Sequence, residues 1–439
     1  MTATRQEATV RPPAPAPVPA ASRTGCLAVA GGSLAVVVLL WLSGAHWSSG
    51  GEAVTSLGRL AGLVGSDLLL LQVLLMARLP VIERSFGQDL LARAHRLVGF
   101  TSFNLVLTHV LLVLVGYAAL DSRNVVAETV DVVWTYPGML LATAGFAALV
   151  MVVVTSVRAA RAKLRYESWH LLHLYAYLGV GLALPHQLWT GGDFVAHPPA
   201  KLFWWTAWGA TAAAVVAYRV VAPLRQNARY HLVVDRVTVE APGVVSVEVT
   251  GRSLPPARAG QFFVFRFRHG HGWTRGNPYS LSAAPDGRRL RITATDDGRL
   301  AALPRGTRVY VEGPYGRLMR TSGRPVAVLA NGIGATPGIA LLQEAPKDGV
   351  LVHRGAPLLQ VPEGVRVVQV PGPRAARGSW LPEQAAHLSD AEALLRVVPD
   401  LRCREVFVSG TAEWVGHAEQ AALAAGLPRE QLHVERFSW

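Results

Sequence analysis

The segment 95-HRLVGFTSFNLVLTHVLLVLVGYAAL-120 decides how this chain is read. Beyond Arg96 it holds no charged side chain. As a helix rising 1.5 Å per residue it spans the roughly 30 Å apolar core of a bilayer. Two histidines interrupt it, His95 and His109. Fourteen residues of helix separate them by about 21 Å along the axis and return them to nearly one face. Ionisable side chains inside a bilayer are costly and mark functional positions.

Five similar runs lie around it: one between Arg23 and Glu52, then about 57–77, 134–157, 168–189 and 202–221. Helices of soluble proteins carry a polar stripe, and these runs mostly carry none. The chain is 51% hydrophobic and 16% charged, which excludes a wholly water-soluble or disordered protein. A six-span helical bundle over 24–229 is expected, after an Ala/Pro-rich disordered tail at 1–23. Arg78, Arg84, Arg93 and Arg96 follow the second run; Arg158, Arg161, Lys163 and Arg165 follow the fourth; Arg219, Arg225 and Arg229 follow the sixth. The opposite loops carry Glu52, Asp121, Glu128, Asp131 and Asp193. By the positive-inside rule both termini are cytoplasmic. The net charge of +13 therefore needs no nucleic acid as partner.

The fifth run holds His170, His173 and His186. Spans three and five run in the same direction, so His95 is expected opposite His170 or His173, and His109 opposite His186. The thirteen residues from His173 to His186 do not return to one face; Pro185 lies where a distortion would help. Imidazole suits iron, and facing helices can ligate a haem axially from both sides. The two cysteines, Cys26 and Cys403, exclude a disulfide scaffold, a four-thiolate cluster and a Cys-based zinc site. Asp67, in the second run, is either polar glue within the bundle or a proton-linked group.

From about 230 the texture changes. Short alternating runs, 244-VVSVEVT-250, 261-QFFVFRF-267, 288-RRLRITA-294 and 307-TRVYVEG-313, predict an antiparallel β-barrel over 230–321. Strands at 326-VAVLA-330, 350-VLVH-353, 365-VRVVQV-370 and 405-EVFVSG-410 predict a doubly wound parallel α/β domain over 322–439. In 277-NPYSLSAAP-285, Tyr279 is placed to cover a flavin ring, with Ser280 and Ser282 at its polar edge. The turn 312-EGPYG-316 offers backbone amides to a pyrophosphate. The turn 331-NGIGATP-337 joins a strand to a helix, with Pro337 in the first turn, and suits a dinucleotide's phosphates. Arg354 fits a contact to an adenosine ribose or its 2′-phosphate, or equally a solvated strand end. Phe437 and Trp439 close the chain; a terminal aromatic can stack where a nicotinamide arrives, or fray.

Together, His95/His109, 166-YESWHLLH-173 with His186, 278-PYSLS-282, 313-GPYG-316 and 332-GIGATP-337 resemble the ferric reductase/NADPH oxidase superfamily, especially its bacterial members. The resemblance runs from about residue 30 to the end. It implies two b-type haems in six spans, fused to a ferredoxin–NADP reductase-like module binding FAD and NAD(P)H, NADPH slightly favoured. It places the fifth-span ligand six residues after Glu167, at His173, so the haem ligands become His95, His109, His173 and His186. FAD falls to Pro278, Tyr279, Ser280, Leu281, Ser282 and Gly313, Pro314, Tyr315, Gly316, and the nucleotide to Gly332, Gly334, Thr336 and Pro337. Three departures stand out. Asn277 replaces a cation, leaving Arg275 to supply it; Thr295 and Ala301 replace a Lys and a Ser/Thr around Gly298; Ser409 replaces a cysteine near the nicotinamide.

The expected activity is a plasma-membrane oxidoreductase moving electrons from cytoplasmic NAD(P)H through FAD and two haems to an outer acceptor. That acceptor is a ferric chelate, dioxygen or a redox protein. Catalytic contacts fall to Ser280, Ser409 and Trp439. The rivals are a haem-carrying scaffold or transporter with a decayed reductase module, and a reductase tethered by inert helices. A homo-oligomer is compatible with the chain.

Overall fold

A computed structural model describes residues 20–161, 163–164, 166–195, 197–296, 298–355, 360–374 and 379–437. They divide into two compact units, one ending at Ala222 and the other beginning at Pro223.

The first unit is helical. Its elements are α1 (Ala20–Gly44), α2 (Gly50–Met76), α3 (Pro80–Phe86), α4 (Gln88–Leu120), α5 (Val125–Thr135), α6 (Met139–Ser156), α7 (Arg158–Arg161), α8 (Tyr166–Trp189), α9 (Gly192–Val195) and α10 (Pro198–Val215). Helix α10 passes through a π-wound turn, Val216–Val221, into α11 (Ala222–Tyr230). Five helical stretches are long and apolar enough to cross a membrane: Ala21–Gly44, Gly50–Met76, Leu90–Leu120, Met139–Ser156 and Pro198–Tyr230. The remaining expected run, the fifth in chain order, is the 24-residue α8, whose histidines, tyrosines and Gln187 lower its hydropathy. The fourth expected run splits. Tyr136, which precedes Pro137, is extended, so α5 ends at Thr135, and Gly138 at φ 84° leads into α6 at Met139.

Glycines set the helix contacts. A β-carbon at Gly58 would lie 2.9 Å from the Val113 side chain, and one at Gly116 2.2 Å from Thr55 Oγ1, so α2 and α4 approach closely. Gly145 and Gly179 face each other's carbonyls in the same way between α6 and α8. Small residues let helix backbones meet where lipid supplies no hydrophobic drive for association.

The second unit begins with α11 and continues in strands. Strand β1 (Val233–Ala241) pairs with β2 (Val244–Thr250), which pairs with β5 (Leu290–Thr295); β4 (Asn277–Ser280), β3 (Phe262–Phe267) and β6 (Val309–Tyr315) form a second sheet. Both sheets are antiparallel. The expected barrel thus takes the form of two three-stranded sheets, linked by bridges Val233↔Arg308 and Leu281↔Ile292. Inward residues at alternate positions, among them Val245, Val247, Val249, Phe263, Phe265 and Ile292, share one core.

A five-stranded parallel sheet follows, built from β7 (Val326–Asn331), β8 (Val350–Arg354), β9 (Arg366–Val370), β10 (Glu405–Thr411) and β11 (Leu432–Phe437) in the order β11-β10-β7-β8-β9. Helices α12 (Ala335–Glu344), α13 (Asp390–Val397) and α14 (Ala412–Ala424) cover it. Val326, Val328 and Ala330 pack with α12, whereas Ala327 and Leu329 pack with α13 and α14. Both faces of the sheet are therefore buried, which explains why its strands read as unbroken apolar runs.

Candidate functional site

Four imidazoles in the helical unit are each held by one ring nitrogen. His109 Nδ1 lies 2.9 Å from the Gly58 carbonyl, and His95 Nδ1 lies 3.3 Å from that of Gln72. His186 Nδ1 is 2.5 Å from the Ala183 carbonyl, and His173 Nδ1 is 3.3 Å from Ser156 Oγ. Backbone carbonyls only accept, so three of these rings carry their proton on Nδ1 and turn a bare Nε2 outward. Metal-ligating histidines are held in this manner.

The sequence explains the hold. A helical carbonyl already accepts one bond from the next turn, but keeps a second lone pair. Gly62, one turn after Gly58, has no side chain, and a β-carbon there would lie 2.5 Å from His109 Nδ1. The ring occupies that space and reaches the carbonyl. Gly138 acts differently: a β-carbon there would lie 2.8 Å from the backbone nitrogen of His186, so this glycine admits the main chain of α8 rather than the imidazole.

The His95 and His173 rings stand 6.0 Å apart at 67°. Two imidazoles binding one metal ion from opposite sides, each at about 2 Å, have ring centres roughly 6 Å apart. His173, not His170, occupies this position; His170 is exposed beside Trp169. Among the described residues no three His, Cys, Asp or Glu side chains gather as a metal cluster. Paired imidazoles with free Nε2 atoms are the donor set a bis-axially ligated haem requires. The side chain of Glu167 lies outside the described residues.

In the second unit, glycines converge at the carboxyl ends of the parallel strands. Strands β7 and β10 are neighbours but their connections leave in opposite directions, so the sheet has its switch point between them. After β7, Gly332 takes φ 55° and a β-carbon there would meet nothing within 4 Å. Gly334 differs: its β-carbon would lie 2.6 Å from the Ser409 carbonyl. Gly410 (φ 152°) abuts Asn331, and Gly355 (φ 125°) abuts Gly332. Helix α12 starts at once from this crevice and aims its amino end at it.

Several expected contacts are turned inward instead. Thr336 is buried and its hydroxyl donates to the Ile333 carbonyl, 2.9 Å away. Pro337 is buried in the third position of α12, within the first turn of a helix that starts at Ala335, before the expected 338. Ser409 is fully buried and donates to the Gly334 carbonyl at 2.7 Å, so its hydroxyl braces the turn. Arg354, also buried, donates to the carbonyls of Gly372 (2.8 Å) and Trp380 (3.4 Å). It is neither a solvated strand end nor a guanidinium open to a phosphate. Phe437 pairs with Thr411 at the end of β10, beside the switch point. Trp439 lies outside the described residues.

The flavin motif sits on the sheet of β4, β3 and β6. Ser280 and Tyr315 both pair with Phe262, on its two sides, so the motif and the 313–316 turn lie in adjacent strands across β3. Pro278 is exposed and Ser280 half-buried, but Leu281 and Ser282 are fully buried. Ser282 accepts from Thr293 at 2.8 Å. Leu281 and Ser282 lie just beyond β4 and both side chains are buried, so only backbone atoms of 281–282 can meet a ligand. Tyr279 is half-buried against Phe265 rather than exposed. Gly313 (φ 132°) and Gly316 (φ 95°) pack on Phe263 and Phe262, with Pro314 between them and Tyr315. Gly298 (φ 98°) turns in open space, and Asp296 caps the amides of Leu300 and Ala301. Arg275 is exposed next to the motif.

Comparison with known proteins follows the same division. The family model described as the ferric reductase like transmembrane component matches residues 61–184, which contain His95, His109 and His173 and stop two residues short of His186. The ferredoxin reductase component of 3-ketosteroid-9-alpha-monooxygenase from Mycobacterium tuberculosis is 26% identical over 204 residues, 42% of this chain and 57% of that protein. A flavohemoprotein of Pseudomonas aeruginosa is 26% identical over 209 residues, 43% of this chain and 53% of its own. This chain joins a ferric reductase-like membrane domain to a ferredoxin reductase-like module. Both parts thus resemble parts of oxidoreductases. The chain spans about half the length of the curated relatives it matches. Among solved structures, the ferredoxin reductase in carbazole 1,9a-dioxygenase aligns with a TM-score of 0.39 and 19% identity over 48% of this chain and 69% of that one.

Residues that the motifs did not bring forward also shape both sites. In the ferric reductase-like domain these are Gly58, Gly62 and Gln72, whose small size or carbonyls hold the imidazoles. The glycine spacing in α2 was the available signal. In the reductase-like module, His353 Nε2 lies 3.2 Å from the Gly332 carbonyl, and burial pushes its pKa below the usual imidazole range. Arg266 on β3 pairs with Glu312 at 2.5 Å, on the outward face that also carries Ser280.

Proposed function

We propose that this chain is a transmembrane oxidoreductase that takes electrons from cytoplasmic NAD(P)H and delivers them to an acceptor on the outer face, a ferric chelate or dioxygen. The observation that carries the proposal is the facing pair His95/His173, with Nδ1 of each ring anchored. Helix α8 counts as the fifth of six spans in this reading. FAD and two b-type haems would supply the conversion of hydride into single electrons and their passage across the bilayer. His95 and His173 would hold the inner haem, His109 and His186 the outer one. The Gly58, Gln72 and Ala183 carbonyls keep the imidazoles oriented and more basic, through the bond each accepts from Nδ1.

In the module, Gly332 leaves backbone room for the nucleotide's phosphates while α12 offers its amino end. Ser280 and the backbone of 281–282 would meet the flavin's polar edge, with Gly313–Gly316 beside them. Gly298 and Arg275 flank this site. The β-barrel occupies 230–321 and the nucleotide domain 322–439 in this scheme, with both termini cytoplasmic.

Reduced-minus-oxidised spectra of the purified protein are the direct test. A b-type haem signal is expected, lost in part in His173→Ala and in part in His109→Ala/His186→Ala. A spectrum without haem, or one unchanged in these variants, overturns the assignment. Anaerobic addition of NADH or NADPH, followed by ferric citrate or oxygen, then identifies donor and acceptor.

A further inference from the structure

Asp67 is the one acidic side chain of α2 beyond its first turn, and it is 2% exposed. It lies in the middle of an i, i+4, i+7 stripe with Leu63 and Leu70. Those leucines pack in an apolar cluster with Val37 and Trp41 of α1, Phe194 of α9 and Trp204 of α10. Asp67 Oδ1 accepts a 2.5 Å bond from Ser33 Oγ of α1, whereas Oδ2 has no hydrogen-bond partner among the described residues.

Among the described residues, Asp67 makes no ion pair. Ser33 is the group that α1 presents to it, and Arg23 lies ten residues before Ser33. From α10 the cluster contains the indoles of Trp204 and Trp208, whose Nε1 atoms lack partners, while Lys201 is exposed. From α8, Gln187 reaches not Asp67 but its neighbour Ser66, at 3.4 Å. On α4, His95 and His109 bond to the Gln72 and Gly58 carbonyls. Along α2 itself the nearest cation is Arg59, eight residues or about 12 Å away.

Polar glue satisfies both carboxyl oxygens; this one is half satisfied. Its position adds a second observation. Gly62 packs on the His109 ring and Gln72 holds His95, and Asp67 is five residues from each. It therefore sits about 7.5 Å along the axis from the level of either histidine. In a medium this apolar, charges at such distances act on each other with little screening.

We propose that Asp67 is a proton-binding site linked to the redox state of the histidine-held centres. When one electron arrives from the reductase-like module, the carboxylate takes up one proton from water on Oδ2. When the electron leaves, the proton is released. This rests on the proposed haem ligation, and the experiment separates the two. In full-length protein, the haem midpoint potential is titrated against pH, and infrared difference spectra are recorded between oxidised and reduced states and across pH. A slope of up to about 59 mV per pH unit is expected for one proton per electron. A carboxylic-acid band should appear on reduction. In Asp67→Asn that band and its share of the slope should vanish, with the haem spectrum kept, and Asp67→Glu should restore both. An equal slope in wild type and Asp67→Asn, or a carboxyl band that never changes, overturns the proposal. Absence of haem overturns the ligand assignment instead; the pH-dependent infrared band in that protein still decides whether Asp67 titrates.

Discussion

The membrane histidines and the glycines of the parallel sheet build their sites by opposite means. In the helical unit, side chains are the working groups, and backbone carbonyls freed by neighbouring glycines hold them. At the sheet's carboxyl edge the backbone is the working group, and side chains such as Ser409 and Arg354 hold it from behind. The lesson is that a glycine serves two purposes. It clears space for another residue's ring in one unit and lets two main chains meet in the other.

This contrast can be broken first at Gly62. Gly62→Val puts branched carbon where His109 Nδ1 would lie 2.5 Å from the β-carbon alone. We expect loss of about half the haem per protein, one of two axially ligated sites, measured as haemochromogen content. Gly181→Ala, where a β-carbon meets nothing within 4 Å, should leave that content unchanged.

The sheet glycines should separate next. Gly334→Ala drives a β-carbon against the Ser409 carbonyl and Gly410 Cα, both backbone atoms that cannot swing away. A loss of about 3 kcal/mol is expected from such overpacking, read from thermal unfolding, with at least about tenfold weaker NAD(P)H binding. Gly332→Ala has open space and should cost only about 1–2 kcal/mol for its left-handed φ.

A third test concerns the side chains behind the backbone. Glu405, at the start of β10, accepts from the amides and hydroxyls of Thr321 and Ser322 and lies 2.9 Å from His433. These bonds hold its carboxyl down to about 2, against the desolvation of its burial. A depressed pKa stabilises the fold fully above the unfolded value of 4.5, and that contribution is lost as pH falls towards 2. Glu405→Ala should cost about 3 kcal/mol at neutral pH by stranding buried donors. Its unfolding midpoint should then fall less steeply than wild type between pH 5 and pH 2, a window set by that shift.

The smallest effect is expected at Arg354. Its guanidinium is bound to two carbonyls, so Arg354→Gln should change the NADPH-to-NADH preference by less than about threefold. A tenfold change in the ratio of kcat/KM values would show the arginine reaching the nucleotide.

Helix and strand positions were largely legible because apolar periodicity reports burial directly. The break before α6 was legible only in part: Pro137 holds Tyr136 extended and ends α5, whereas the turn at Gly138 (φ 84°) came from the structure. The flavin motif was legible as a position but not as an orientation. Leu281 and Ser282, just past β4, are both buried because Leu281 bridges Ile292 and Ser282 bonds to Thr293, contacts made with a strand of the other sheet. Likewise Thr336, Ser409 and Arg354 carry groups suited to a nucleotide, yet each finds a backbone carbonyl first.

Sequence alone determined the division into an apolar helical unit and a strand-rich module, along with four histidines at matched depths. Composition and spacing suffice there because a bilayer and a pleated sheet impose fixed periods on whatever chain crosses or joins them. Tertiary structure alone decided that the Gly58 and Gln72 carbonyls hold His109 and His95, and that Asp67 keeps one oxygen unpartnered among the described residues. Both depend on which helix faces lie against each other, and that follows from glycine contacts between segments far apart in the chain.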